Sequence, residues 1–147
     1  MTITTKKIDM QFIRYMNLFS RVTKMSAKHC FNYNNMVVFV IPRFAIERAI
    51  GRNNENLKQL SEIIGKRIRV VAEPAGIKDL KDFVKIIVSP IEFEKIDVHD
   101  TDKGKEAVIA TSGREAKAML IGRARAREGE LREILEQYFG IKNIRFS

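Results

Sequence analysis

The strongest constraint on this chain is that it carries the same pattern twice. Shifting the sequence by 71 residues lays Ile50-Gly51-Arg52 on Ile121-Gly122-Arg123, Arg43 on Arg114, Ala45 on Ala116 and Val37 on Val108. The next helix-ending glycine follows 14 residues after the first loop, at Gly65, and 18 residues after the second, at Gly140. That difference of four is about one helical turn, so the copies differ by a turn and not by a change of plan. The 147 residues therefore read as two units of about 70 residues each, spanning 1–74 and 75–147.

Periodicity supplies the elements of each unit. Ile8, Phe12, Tyr15, Met16, Phe19 and Val22 recur at three- and four-residue steps, which predicts an amphipathic helix. Cys30 to Tyr33, an Asn34-Asn35 turn and the β-branched run Met36 to Ile41 predict a hairpin with a ragged edge strand and a buried one. Arg43 to Ile50 reads as a helix with Phe44 and Ala45 preceding Ala49 on one face, stopped at Gly51. A second helix is expected from Asn53 or Asn54, both good N-caps, carrying Leu57, Leu60 and Ile64 to Gly65; a strand follows with Ile68 and Val70 facing one way.

After the breakers Glu73-Pro74-Ala75-Gly76 the order returns. A helix carries Leu80, Phe83, Val84 and Ile87, strands run over 93–98 and 106–111 about Asp102-Lys103-Gly104, and a short helix spans 115–121. A longer helix through Leu131, Leu135 and Tyr138 ends at Gly140, before a last strand over 142–146. Each unit is helix–strand–strand–helix–helix–strand, an α+β arrangement.

Charge narrows the partner. Lys and Arg number 27 against 18 Asp and Glu, a net charge of +9 with pI near 9.8, a surplus that suits a polyanion. Nothing approaches the roughly 18 to 20 apolar residues needed to span a bilayer, and Met1 to Lys7 lacks a signal-peptide core, so a cytoplasmic protein without membrane association is expected. Cys30 is the single cysteine, which rules out an intrachain disulfide and a cysteine-rich zinc site. With His29 and His99 it makes a poor ligand set, and a small packed thiol is the expected role. Neither a catalytic Ser/His/Asp set, a Lys-Ser/Thr phosphate loop nor a metal-spaced acidic cluster appears, so no enzyme and no cofactor is expected.

The chemistry sits at the repeated helix–helix junction. A glycine there lets backbone approach a ligand because no Cβ intervenes. The helix that follows offers its first N–H groups and the positive end of its dipole, both suited to phosphate, and Arg52 or Arg123 adds a charge-assisted hydrogen bond. A single Gly-Arg between helices is usually only a turn, and the Arg run over 123–127 also reads as a solvated helix start; repetition in matched context favours binding.

These features together resemble tandem type II KH domains, and the nearest family is that of the short archaeal NusA-like transcription factors. Ile50-Gly51-Arg52-Asn53-Asn54-Glu55-Asn56-Leu57-Lys58 resembles the family's first loop, and Ile64-Gly65-Lys66-Arg67-Ile68 the helix end and strand beyond it. Ile121-Gly122-Arg123 with Tyr138-Phe139-Gly140-Ile141 resembles the second, and Tyr15-Met16-Asn17-Leu18-Phe19 the opening helix. The resemblance implies, in each unit, a small three-stranded sheet with helices packed on one face. It implies a factor that contacts single-stranded nascent RNA in transcription termination or antitermination, with RNA polymerase or other transcription factors as further partners.

The RNA-binding set so implied is Arg43, Ile50, Gly51, Arg52, Asn53, Asn54 and Lys58, with Arg114, Gly122, Arg123, Ala124, Arg125 and Arg127. The family loop closes on a second glycine, whereas Asn54 and Arg125 stand there in this chain; Asn tolerates the left-handed conformation better than Arg. The first loop is therefore expected to be the better clamp. Gly129 is also expected to weaken the start of the long second helix. The longer bacterial relatives carry a polymerase-binding domain and an S1 domain, for which the two units leave no residues. A ribosome-associated or ribosome-assembly RNA-binding protein, or a protein–protein adaptor on the same scaffold, remains as an alternative.

Overall fold

The computed structural model describes residues 10–147; the proposed helix position Ile8 lies outside them. The chain divides into two compact units, the first ending at Glu73 and the second running Pro74–Ser147. Each is α+β and holds its own three-stranded sheet.

The first unit contains α1 (Met10–Thr23), β1 (His29–Tyr33), β2 (Met36–Ile41), α2 (Ile46–Ile50, preceded by a 3₁₀ turn Arg43–Ala45), α3 (Glu55–Ile64) and β3 (Arg67–Ala72). β1 and β2 form the hairpin, antiparallel with Tyr33 opposite Met36. Asn34 and Asn35 take φ of 50° and 61°, the double left-handed turn whose twist matches the strands it joins. β3 then returns parallel to β2, Val37 beside Ile68 and Phe39 beside Val70. The central strand β2 has a neighbour on each side and is buried at all six residues, which explains its unbroken apolar run. Val37, Phe39 and Ile41 join Val70 and the helical residues Tyr15, Phe19, Ala45, Ala49 and Leu60 in one core. Phe19 stacks on Phe39 with ring centroids 4.5 Å apart. Cys30 is half-buried at the edge of this core, its thiol 3.9 Å from the Phe12 carbonyl.

The second unit repeats the order with α4 (Leu80–Val88), β4 (Lys95–Thr101), β5 (Gly104–Ala110), α5 (Arg114–Ile121), α6 (Ala126–Phe139) and β6 (Ile141–Phe146). β4 and β6 flank β5, antiparallel and parallel respectively, with a bulge opposite Lys105 and Glu106. The ring of Phe83 meets Tyr138 and Phe139 at 5.3 and 5.5 Å. α6 has 14 residues against 10 in α3, the extra turn expected from the glycine spacing. Gly129 lies inside α6. The second hairpin begins later than expected, at Lys95, with Phe93 buried just before it.

Three expectations need correction. Phe44 does not share a face with Ala45 and Ala49: it is 89% exposed while both alanines are buried. The 3₁₀ turn that opens this segment winds more tightly than an α-helix, and the residue that turns inward is Ala45. Val37 and Val108 are not equivalent either. In β5 the buried residues are Ala107 and Ile109, so Val108 occupies the opposite face from the core-facing set, because strand side chains alternate. The 71-residue offset does not run through the strands: Pro42 alone separates β2 from the turn at Arg43, whereas Thr111, Ser112 and Gly113 separate β5 from α5. The third concerns the start of α3: Asn54 stands at its N-cap position without any side-chain capping bond.

Candidate nucleic-acid interface

The backbone at the two helix–helix junctions is the same. Gly51 ends α2 at φ 83°, ψ 171°, and Gly122 ends α5 at φ 78°, ψ 169°. Asn53 and Ala124 follow at φ/ψ of 55°/31° and 54°/29°. Asn54 and Arg125 are both at 62°/26°. Each tip is thus a positive-φ glycine, an arginine and two left-handed residues, and then a new helix. The hydrogen bonds match as well: the Asn54 amide donates to the Gly51 carbonyl at 3.2 Å and the Arg125 amide to Gly122 at 3.1 Å. The asparagines of the first loop serve the backbone conformation, which Asn reaches at low cost. The second loop reaches it with Ala124 and Arg125, against their preference. Only tertiary restraint accounts for that: the sheet and helices fix both ends of the loop.

Both glycines are closely backed, Gly122 by backbone as well as side chain. A Cβ on Gly51 would stand 3.0 Å from the Asn56 amide nitrogen. That amide donates to the carbonyls of Ala49 at 3.1 Å and Arg48 at 3.4 Å, closing the end of α2. A Cβ on Gly122 would stand 2.6 Å from Arg127 Cγ and 2.9 Å from its backbone nitrogen. Asn56 and Arg127 occupy the same place in the repeat, and both lie close behind the loop glycine. Asn56 was missed as a supporting residue; a polar side chain five residues after a loop glycine carries no local signal of this.

The expected site residues divide by position. Arg52, Asn53 and Asn54 at the first tip and Arg123, Ala124 and Arg125 at the second are exposed, whereas Ile50, Ile121 and the two glycines are half-buried beneath them. Lys58 is exposed on α3. Arg43 and Arg114 are exposed but lie seven residues before Ile50 and Ile121, about 10 Å along the helical segment, so they flank the loops without joining them. The second loop's charge is partly committed: Arg125 bonds Glu128 at 2.7 Å, and Arg127, with its side chain 24% exposed, pairs with Glu130 at 3.3 Å.

Beside the second loop lies a cavity of about 260 Å³ bounded by α5, α6 and β6, with Ile121, Ile144 and Phe146 for apolar walls and Lys117, Arg125 and Glu128 as polar ones. Arg145 also borders it, 3.6 Å from Glu106. The alternation in β6 places Ile144 and Phe146 on one face, but their meeting with a loop some twenty residues earlier is a tertiary fact. Among the described residues no group of three His, Cys, Asp or Glu side chains is arranged to hold a metal, and no helix is long and apolar enough to cross a membrane.

No family model matches the chain. Curated proteins do. A protein of Methanococcus vannielii is 27% identical over 139 residues, covering 95% of this chain and 78% of its own length. Proteins of Thermoplasma acidophilum and Methanocaldococcus jannaschii are 23% and 22% identical, covering 93% and 95% of this chain and 92% and 74% of theirs. Each bears the name "Probable transcription termination protein NusA". Among solved structures, the crystal structure of APE1850 matches with TM-score 0.67 and 28% identity, over 95% of this chain and 100% of that one. The resemblance read from the loop motifs is thereby borne out: over nearly its whole length this chain is similar to the archaeal NusA-like proteins.

Proposed function

We propose that the chain is an RNA-binding factor of transcription termination or antitermination, that both units are KH domains of type II, and that the exposed loops Gly51–Asn54 and Gly122–Arg125 clamp single-stranded nascent RNA. The observation that carries this reading is the coincidence of the two loop backbones despite different residues. Each tip turns exposed backbone outward at the opening of a helix of ten or more residues, where N–H groups and helix dipole suit a phosphate. The element order and a central strand with one antiparallel and one parallel neighbour support the type II assignment. The net charge of +9 and the names of the similar archaeal proteins support RNA and the transcription machinery, RNA polymerase included, as partners. The protein is a cytoplasmic binding protein and not an enzyme. The equal backbone geometry supports counting both loops as clamps, the first with Asn54 and the second with Arg125 at the position where the family loop closes on glycine.

The test is binding of short single-stranded RNA by fluorescence anisotropy across a salt series. Each phosphate neutralised contributes about 0.7 to the slope of log affinity against log salt, and a clamp holds about four nucleotides. One working loop therefore gives a slope near −2 to −3. The double change Asn53→Asp, Asn54→Asp keeps residues tolerant of the left-handed region and sets two carboxylates against phosphate, so affinity should fall. Unchanged affinity would refute the first-loop assignment, and absence of salt-dependent binding by the unaltered protein would favour an adaptor role.

A further inference from the structure

The cavity beside the second loop has a polar wall that the first unit does not reproduce. Glu128 contributes a carboxylate whose side chain is only 15% exposed, and Arg125 Nη1 holds it at 2.7 Å. Moving back by 71 residues, Glu128 becomes Leu57, Arg125 becomes Asn54 and Lys117 becomes Ile46. One groove therefore has a mostly buried carboxylate bonded to an arginine whose own side chain is 75% exposed, and the first unit has no such ion pair at the matching positions. An acid at the opening of a phosphate-seeking loop is unfavourable for a site that only holds backbone, since like charges repel. The remaining walls, Ile121, Ile144 and Phe146, suit the face of a flat ring. A volume of about 260 Å³ is just below the range for drug-sized ligands and suits a single base.

We infer that the Arg125–Glu128 pair makes the second groove a guanine-reading subsite. This rests on the clamp reading above and specifies the base that the second clamp takes. A carboxylate carries two acceptor oxygens and no donor. Among the four RNA bases only guanine presents two adjacent donors, N1–H and the N2 amine, on its Watson–Crick edge, and its O6 acceptor lies alongside them. Arg125 donates to O6, Glu128 accepts from N1–H and N2–H, and the apolar walls pack on the ring. Adenine and cytosine each present a single amine donor next to a ring-nitrogen acceptor, which would meet the carboxylate lone pairs. Uracil presents a single N–H between two carbonyls.

The experiment uses the full chain carrying Asn53→Asp and Asn54→Asp, which leaves the second loop to report. Anisotropy is measured at fixed salt with short oligouridylates bearing one central guanosine, inosine, adenosine, cytidine or uridine. A bidentate base contact discriminates by about 1–3 kcal/mol, so guanosine should bind roughly 5- to 150-fold more tightly than the other three bases. Inosine, which lacks only the N2 amine, should fall between. Glu128→Gln, checked for an unchanged fold by amide NMR, should reduce the guanosine preference to within about twofold. The inference is overturned if the preference survives Glu128→Gln. It is equally overturned if that change raises affinity for every oligonucleotide alike, which would make Glu128 a phosphate repellent only. Loss of all salt-dependent binding in the unaltered chain would instead refute the clamp reading, and the guanine subsite with it.

Discussion

Replacing Gly122 by alanine tests whether the second loop is held by its surroundings. The residue sits at φ 78°, ψ 169°, a region essentially confined to glycine, and occupying it with a side chain costs about 1–3 kcal/mol. The new Cβ would also meet the Arg127 backbone nitrogen at 2.9 Å and Cγ at 2.6 Å. A backbone atom at the first turn of α6 cannot rotate away, so overpacking adds about 1–3 kcal/mol, and the total is about 2–6 kcal/mol. Gly51→Ala bears the same conformational cost, but the nearest atoms are side-chain atoms of Asn56 and Glu55 at 3.0 and 3.1 Å, which can move. It should lose about 1–3 kcal/mol. The converse change, Ala124→Gly, releases a left-handed alanine worth about 1–2 kcal/mol, against about 0.5–1 kcal/mol for the greater freedom of unfolded glycine. It should be neutral or stabilise by about 1 kcal/mol. Urea unfolding read from individual amide NMR signals separates the two units, which a single global transition would not. A loss below about 1 kcal/mol in Gly122→Ala, or a comparable loss in Ala124→Gly, would refute the view that tertiary restraint imposes this backbone.

Two further outcomes follow from packing and charge. Phe39 is fully buried and stacked on Phe19, so Phe39→Ala should cost about 3–5 kcal/mol in first-unit signals alone, measured in the same urea series; an equal loss in both units would contradict their separate cores. The Lys142 ammonium, hydrogen-bonded to Glu136 at 2.8 Å, holds that exposed carboxyl below the usual carboxylate range. A depressed folded value stabilises above the unfolded value, and that contribution is lost as pH falls through the folded one. Lys142→Ala should therefore raise the Glu136 titration midpoint, followed by carboxyl carbon NMR, and abolish this acid-side loss; an unmoved midpoint would refute the pairing.

Short-range pattern was enough for much of the architecture. The helix periodicity from Phe12 to Val22, the Asn34-Asn35 turn between two strands, the apolar run of β2 and the helix-ending Gly51, Gly65, Gly122 and Gly140 each follow from neighbouring residues, and the structure has them where they were expected. The positions of both loops were legible for the same reason. Other features depend on partners distant in the chain. Val108 differs from Val37 because the pleat is set by pairing with β4 and β6, which a fixed offset between copies cannot detect. Phe44 turns outward because Ala45 and Ala49 fit against the core. The left-handed backbone of Ala124 and Arg125 runs against local preference, and is imposed by elements anchored on either side. The cavity with Glu128 in its wall exists only because β6 returns beside a loop some twenty residues earlier. Local propensity placed the elements and their junctions; long-range packing decided what each junction presents.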